Sequence, residues 1–81
     1  MLNPKQKEIG EHLYNSLKAQ FPSIELVEII DCPFEEGDIW MRIIPPDDSK
    51  QKSQFSNMAS MMITDILMEY GRDVLIIYES R

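Results

Sequence analysis

The stretch Gly37–Pro46 reads Gly-Asp-Ile-Trp-Met-Arg-Ile-Ile-Pro-Pro, and it constrains the fold more than any other part of the chain. Ile39, Met41 and Ile43 alternate with Trp40, Arg42 and Ile44, the period-two pattern of a strand with one uniformly apolar face. That face belongs to a core. Pro45 and Pro46 end the strand, because neither has an N–H to donate to a ladder.

A second strand precedes it. Ser23 to Ile30 is rich in β-branched residues. Simple alternation places Ile24, Leu26, Glu28 and Ile30 on one side and Glu25, Val27 and Ile29 on the other. The connection Asp31–Gly37 can close a hairpin but is too short for a crossover, so the two strands are expected to run antiparallel.

The remaining segments supply the cover. A helix is expected from Pro4 to Gln20, with Asn3 as its N-cap, Pro4 at the first position and Gln6 completing a capping box. Ile9, Leu13 and Leu17 form its apolar stripe, flanked by Tyr14 and Phe21. Gly10 weakens that helix by about 1 kcal/mol relative to alanine, which points to close approach of its backbone to a sheet. Phe21-Pro22 terminates it.

Asp47 to Ser53 is wholly polar and reads either as a mobile loop or as an exposed first turn. From about Gln54 to Tyr70, Phe55, Met58, Ala59, Met62, Ile63, Ile66, Leu67 and Tyr70 mark an amphipathic helix. Gly71 is its natural stop. Val74–Tyr78 is a last, nearly continuous apolar strand, and its return through the helix is expected to be right-handed if it lies parallel to the second strand. The expected fold is α+β, one domain over residues 1–81. It is an αββαβ two-layer sandwich whose three-stranded sheet carries two helices packed on one face.

Charge narrows the partners. Fourteen acidic residues against eight basic ones leave a net charge of −6, which disfavours binding to a nucleic-acid backbone. No run reaches the roughly 20 apolar residues of a membrane span, and the first residues lack the apolar core of a secretory signal. The single cysteine, Cys32, allows no internal disulfide, and a cytoplasmic location is the expectation.

Between Glu25 and Asp48 stand Glu25, Glu28, Asp31, Glu35, Glu36, Asp38, Asp47 and Asp48, with Arg42 the only base. Such a cluster can be a solvated edge protected against strand addition, a docking surface for a basic protein, or a hard-cation site. The spacing of an EF-hand is absent. Trp40 and Arg42 share the strand face opposite the core and suit an interface, or an intramolecular stack of guanidinium on indole. Met61 and Met68 lie off the core stripe of the long helix, where thioethers serve adaptable contacts or fill the margin of a small core. His12 is the lone histidine, with Glu8 one turn before it, and supports no catalytic triad. Acidic neighbours disfavour a reactive thiolate at Cys32, and no glycine-rich phosphate loop is present.

In its element order, with Gly37-Asp38-Ile39-Trp40 opening the second strand, the chain resembles the minimal nucleotidyltransferases of the polymerase-beta type. Members of that family carry a Gly-Ser turn and an Asp-x-Asp pair that holds two magnesium ions. Here the Gly-Ser turn is missing and Trp40 stands where the second carboxylate would be, so the resemblance implies no such activity.

The expected function is that of a non-catalytic protein-interaction or self-associating module, with no cofactor and no metal. Its contact residues are expected to be Trp40, Arg42, Glu35, Glu36, Asp38, Met61 and Met68. Two other classes remain open. One is a degenerate nucleotidyltransferase-like or other metal-dependent nucleotide-binding domain using Asp38, Asp47 and Asp48. The other is an antitoxin-like or regulatory protein whose acidic surface occupies a basic partner.

Overall fold

The computed structural model describes residues 2–80 of the chain. Helix α1 spans Pro4–Gln20, strand β1 Glu25–Asp31, strand β2 Ile39–Ile44, helix α2 Ser49–Tyr70 and strand β3 Val74–Tyr78. The sheet order is β1-β2-β3, with β1 antiparallel and β3 parallel to the central β2. The arrangement is α+β, as the pattern of residues implies.

Both helix starts are chemically defined. The Asn3 side chain accepts a hydrogen bond from the Gln6 backbone N–H at 2.8 Å, while Gln6 Oε1 accepts one from the Asn3 N–H at 2.9 Å. This is the reciprocal capping box, which satisfies donors that a bare helix end leaves open. Asp48 Oδ2 accepts from the Gln51 N–H at 2.9 Å and starts α2 at Ser49. The polar segment before Gln54 is therefore mostly helix, exposed on all sides and so without an apolar period to reveal it. At the other end Gly71 takes φ 67°, and its N–H closes on the Leu67 carbonyl.

One buried cluster joins both helices to the sheet. It contains Ile9, Leu13 and Leu17 of α1, Phe55, Ala59 and Ile66 of α2, Ile39, Met41 and Ile43 of β2, and Val74 of β3. The assignment of the odd-numbered β2 residues to the core holds: all three are fully buried. Phe21 and Phe55, both members of the cluster, meet edge to face with centroids 5.5 Å apart.

Two details depart from simple alternation. Strand β1 begins at Glu25 and carries a bulge, its register stepping from Leu26↔Ile43 to Glu28↔Arg42. The extra residue, Val27, reverses the alternation beyond it, so Leu26 and Ile29 both pack against the core while Glu28 and Ile30 pair with Arg42 and Trp40 on the outer face. On α2 the apolar stripe is only partly used, for Leu67 and Tyr70 remain exposed along with Met61 and Met68.

Candidate functional site

The outer sheet face is built by pairing across β2. Trp40 lies between Ile30 and Leu75, and Arg42 between Glu28 and Ile77. Trp40, Ile30 and Ile77 are half-buried and Leu75 is exposed, so the face is apolar around Trp40 and charged around Arg42, and it is open to solvent.

At the hairpin end of this face the chain forms a shallow pocket of about 270 Å³, floored by Cys32, Phe34, Trp40 and Leu75. The Phe34 and Trp40 rings meet with centroids 5.8 Å apart at 56°. Phe34 is 80% exposed, an unusual placement for a phenylalanine unless something else covers it. Glu35, Asp38 and Asp73 stand around the same pocket. Aromatic rings and carboxylates lining one pocket suit a side chain with an apolar stem and a cationic head.

The hairpin holds this shape through its backbone. The Cys32 N–H donates to the Asp38 carbonyl at 3.1 Å, and the Asp38 N–H donates to the Glu35 carbonyl at 3.2 Å. Asp38 also joins β2 to β3, because its Oδ1 accepts from the Asp73 N–H at 3.0 Å while the Ile39 N–H donates to the Asp73 carbonyl at 2.9 Å. One Asp38 oxygen is thus structural.

The other predicted contact residues fall elsewhere. Glu36 faces away from the aromatics, into a polar cleft of about 330 Å³ lined also by Asn3, Gln6, Asp31, Gly37 and Arg72. Gly37 takes φ 87°, a left-handed conformation that demands glycine, and the mobile end of the Arg72 side chain lies over it. Arg42 does not stand over the indole. Its Nε donates to Glu79 and its Nη1 to Glu28, and these carboxylates, Glu79 first, hold its pKa above the usual arginine value. Met61 and Met68 are exposed on α2, whose buried residues pack on the opposite side of the sheet from Trp40, so they form a separate surface.

Asp38 opens β2 while Asp47 and Asp48 follow its far end, roughly 20 Å away along a strand of this length. They do not converge, and among the described residues no group of three or more histidine, cysteine, aspartate or glutamate side chains is placed to hold a metal ion. Among the described residues no helix is long and apolar enough to cross a membrane.

Sequence reasoning did not single out Phe34, Asp73 and Leu75. Phe34 sits in a loop, where no period announces a role, and Asp73 reaches Asp38 only through the parallel pairing of β2 with β3. The adjacency of Phe34 to Pro33 in a hairpin loop was the one available signal. No protein-family model, curated protein or solved structure matches the chain.

Proposed function

We propose that the chain is a non-catalytic protein-interaction module that takes a basic side chain of a partner segment into the Phe34–Trp40 pocket. The observation that supports this reading is the contact of exposed Phe34 with half-buried Trp40 in a pocket that Glu35, Asp38 and Asp73 also line. Lysine and arginine both fit the chemistry: the methylene stem packs on the rings and the charged head meets the carboxylates. The net charge of −6 favours the encounter with a basic partner at low ionic strength.

Trp40 is the only tryptophan, so its emission reports on this pocket alone. Titration with a short peptide of alternating lysine and leucine should shift that emission saturably, and added salt should weaken the response. Phe34→Ala and Glu35→Gln change exposed positions and should each reduce the affinity while leaving the circular dichroism spectrum unchanged. An unchanged emission at millimolar peptide, or equal binding by Phe34→Ala, overturns the reading.

A further inference from the structure

The three carboxylates that line the Phe34–Trp40 pocket are not equally free to bind. Asp38 Oδ1 accepts from the Asp73 N–H at 3.0 Å, and Asp73 Oδ1 accepts from the Val74 N–H at 2.9 Å. The fold thus uses one oxygen of each residue to fix the start of β3. Their Oδ2 atoms accept nothing from the described residues. Glu35 differs: it is exposed in the hairpin loop, and neither of its carboxylate oxygens is used by the fold. Among the described residues no basic side chain lines this pocket.

The rings add a second condition. Phe34 and Trp40 are tilted by 56° to each other, so no flat group can lie parallel to both. A rounded methylene chain can touch both, and Leu75 and Cys32 add apolar surface beside them.

These two features separate the two basic side chains. A guanidinium is planar and donates in a rigid fork, which is matched by both oxygens of one carboxylate and by flat stacking on one ring. An ammonium has no plane, and its three donors can each take a single oxygen from a different acceptor. Lysine also carries the longer methylene stem.

We infer, given that the pocket takes a basic side chain as proposed above, that it selects lysine over arginine. The ammonium is shared between Asp38 Oδ2, Asp73 Oδ2 and the Glu35 carboxylate, and the stem lies across Phe34, Trp40 and Leu75. Asp38 and Asp73 make the choice, because the hydrogen bonds that hold β3 in place leave each of them unable to receive a fork. Glu35 can receive either head, so it contributes affinity without selectivity.

Two peptides of equal length and charge test this, one alternating leucine with lysine and the other leucine with arginine, both followed by Trp40 emission. The lysine peptide should bind about tenfold more tightly. Asp38→Asn and Asp73→Asn each keep Oδ1, and with it the hydrogen bond that fixes β3, while removing the charge from the other oxygen. Together they should bring the ratio of the two affinities close to one. Glu35→Gln should weaken both peptides and leave the ratio unchanged. The ratio in the parent chain needs no variant, so it decides even where Asp38→Asn/Asp73→Asn fails to fold. An arginine peptide that binds as tightly as the lysine peptide overturns the selectivity and leaves the pocket's role intact. A preference for lysine that survives in folded Asp38→Asn/Asp73→Asn also overturns it. An unchanged emission with both peptides removes the pocket's role, and the selectivity with it.

Discussion

Gly10 of α1 lies against Ile29 of β1 so closely that a β-carbon on the glycine would sit 2.9 Å from Ile29 Cδ1 and 3.2 Å from Cγ2. The contact is where the first helix meets the sheet, and it explains a glycine in the middle of an otherwise regular helix. Gly10→Ala brings two opposed effects. Helix propensity gains about 1 kcal/mol, while moving the Ile29 side chain off its rotamer costs about the same. The single substitution should therefore leave stability within about 1 kcal/mol of the parent. In an Ile29→Val background, which removes Cδ1, Gly10→Ala should stabilise by about 1 kcal/mol. Urea unfolding of the four chains checks this, and equal effects of Gly10→Ala in both backgrounds refute the coupling.

Gln6 is the one buried polar residue of the core region among the described residues, at 2% exposure. Its Nε2 donates to Asp31 Oδ1 at 2.8 Å and to the Asp38 carbonyl at 3.1 Å, while its Oε1 completes the helix cap. One side chain thus ties α1 to both strands of the hairpin. Gln6→Leu leaves these groups unmatched and should cost about 2 kcal/mol, or about 10 °C in melting temperature for a domain of this size. Gln6→Glu keeps the cap but sets a second carboxylate against Asp31. Its loss should be larger at neutral pH than in acid, a difference that thermal melts at two pH values resolve.

The same hydrogen bond, from Gln6, is the largest cause holding the Asp31 carboxyl below its ordinary value of 3.8. A carboxylate with a lowered folded pKa stabilises the fold fully above the unfolded value, and the contribution disappears as pH falls through the folded one. Asp31→Asn should therefore melt lower than the parent near neutral pH. The two curves should converge as pH drops below 3.8. A constant gap down to strong acid would contradict the assignment.

The parts of the fold visible in the residues are those where a local rule and the tertiary structure agree. Ile39, Met41 and Ile43 alternate and are buried; Asn3, Pro4 and Gln6 announce a helix start and form one. The bulge at Val27 escaped because no glycine or proline marks it, and one inserted residue put Ile29 on the same side as Leu26, which simple alternation separates. Ser49–Ser53 stayed open between a mobile loop and an exposed first turn because a fully solvated helical turn needs no apolar residue; the Asp48 cap decides for the helix. Of the candidate site, Trp40 was legible from alternation alone. Its ring partner Phe34 was not, since a loop side chain obeys no period, and the Arg42 pairing with Glu79 required the parallel return of β3 beside β2.

Arg42 bridges Glu28 of β1 and Glu79, which follows β3, so one guanidinium links both outer strands across β2. Its raised pKa gives stability that is present below the unfolded arginine value and lost only as pH rises through a still higher folded one, so ordinary pH scans leave it untouched. Substitution reveals it instead. Arg42→Met retains the aliphatic packing on Ile77 but leaves the two carboxylates facing each other without a cation, and the melting temperature should fall. Arg42→Lys should recover only part of the loss, since an ammonium lacks the planar fork that reaches both partners. The triple variant Glu28→Gln/Arg42→Met/Glu79→Gln removes the like charges and should return close to the parent. Because the side chain is 37% exposed, the Arg42→Met deficit should shrink as salt screens the remaining pair. If the triple variant melts as low as Arg42→Met, the deficit comes from lost packing and the bridge contributes nothing.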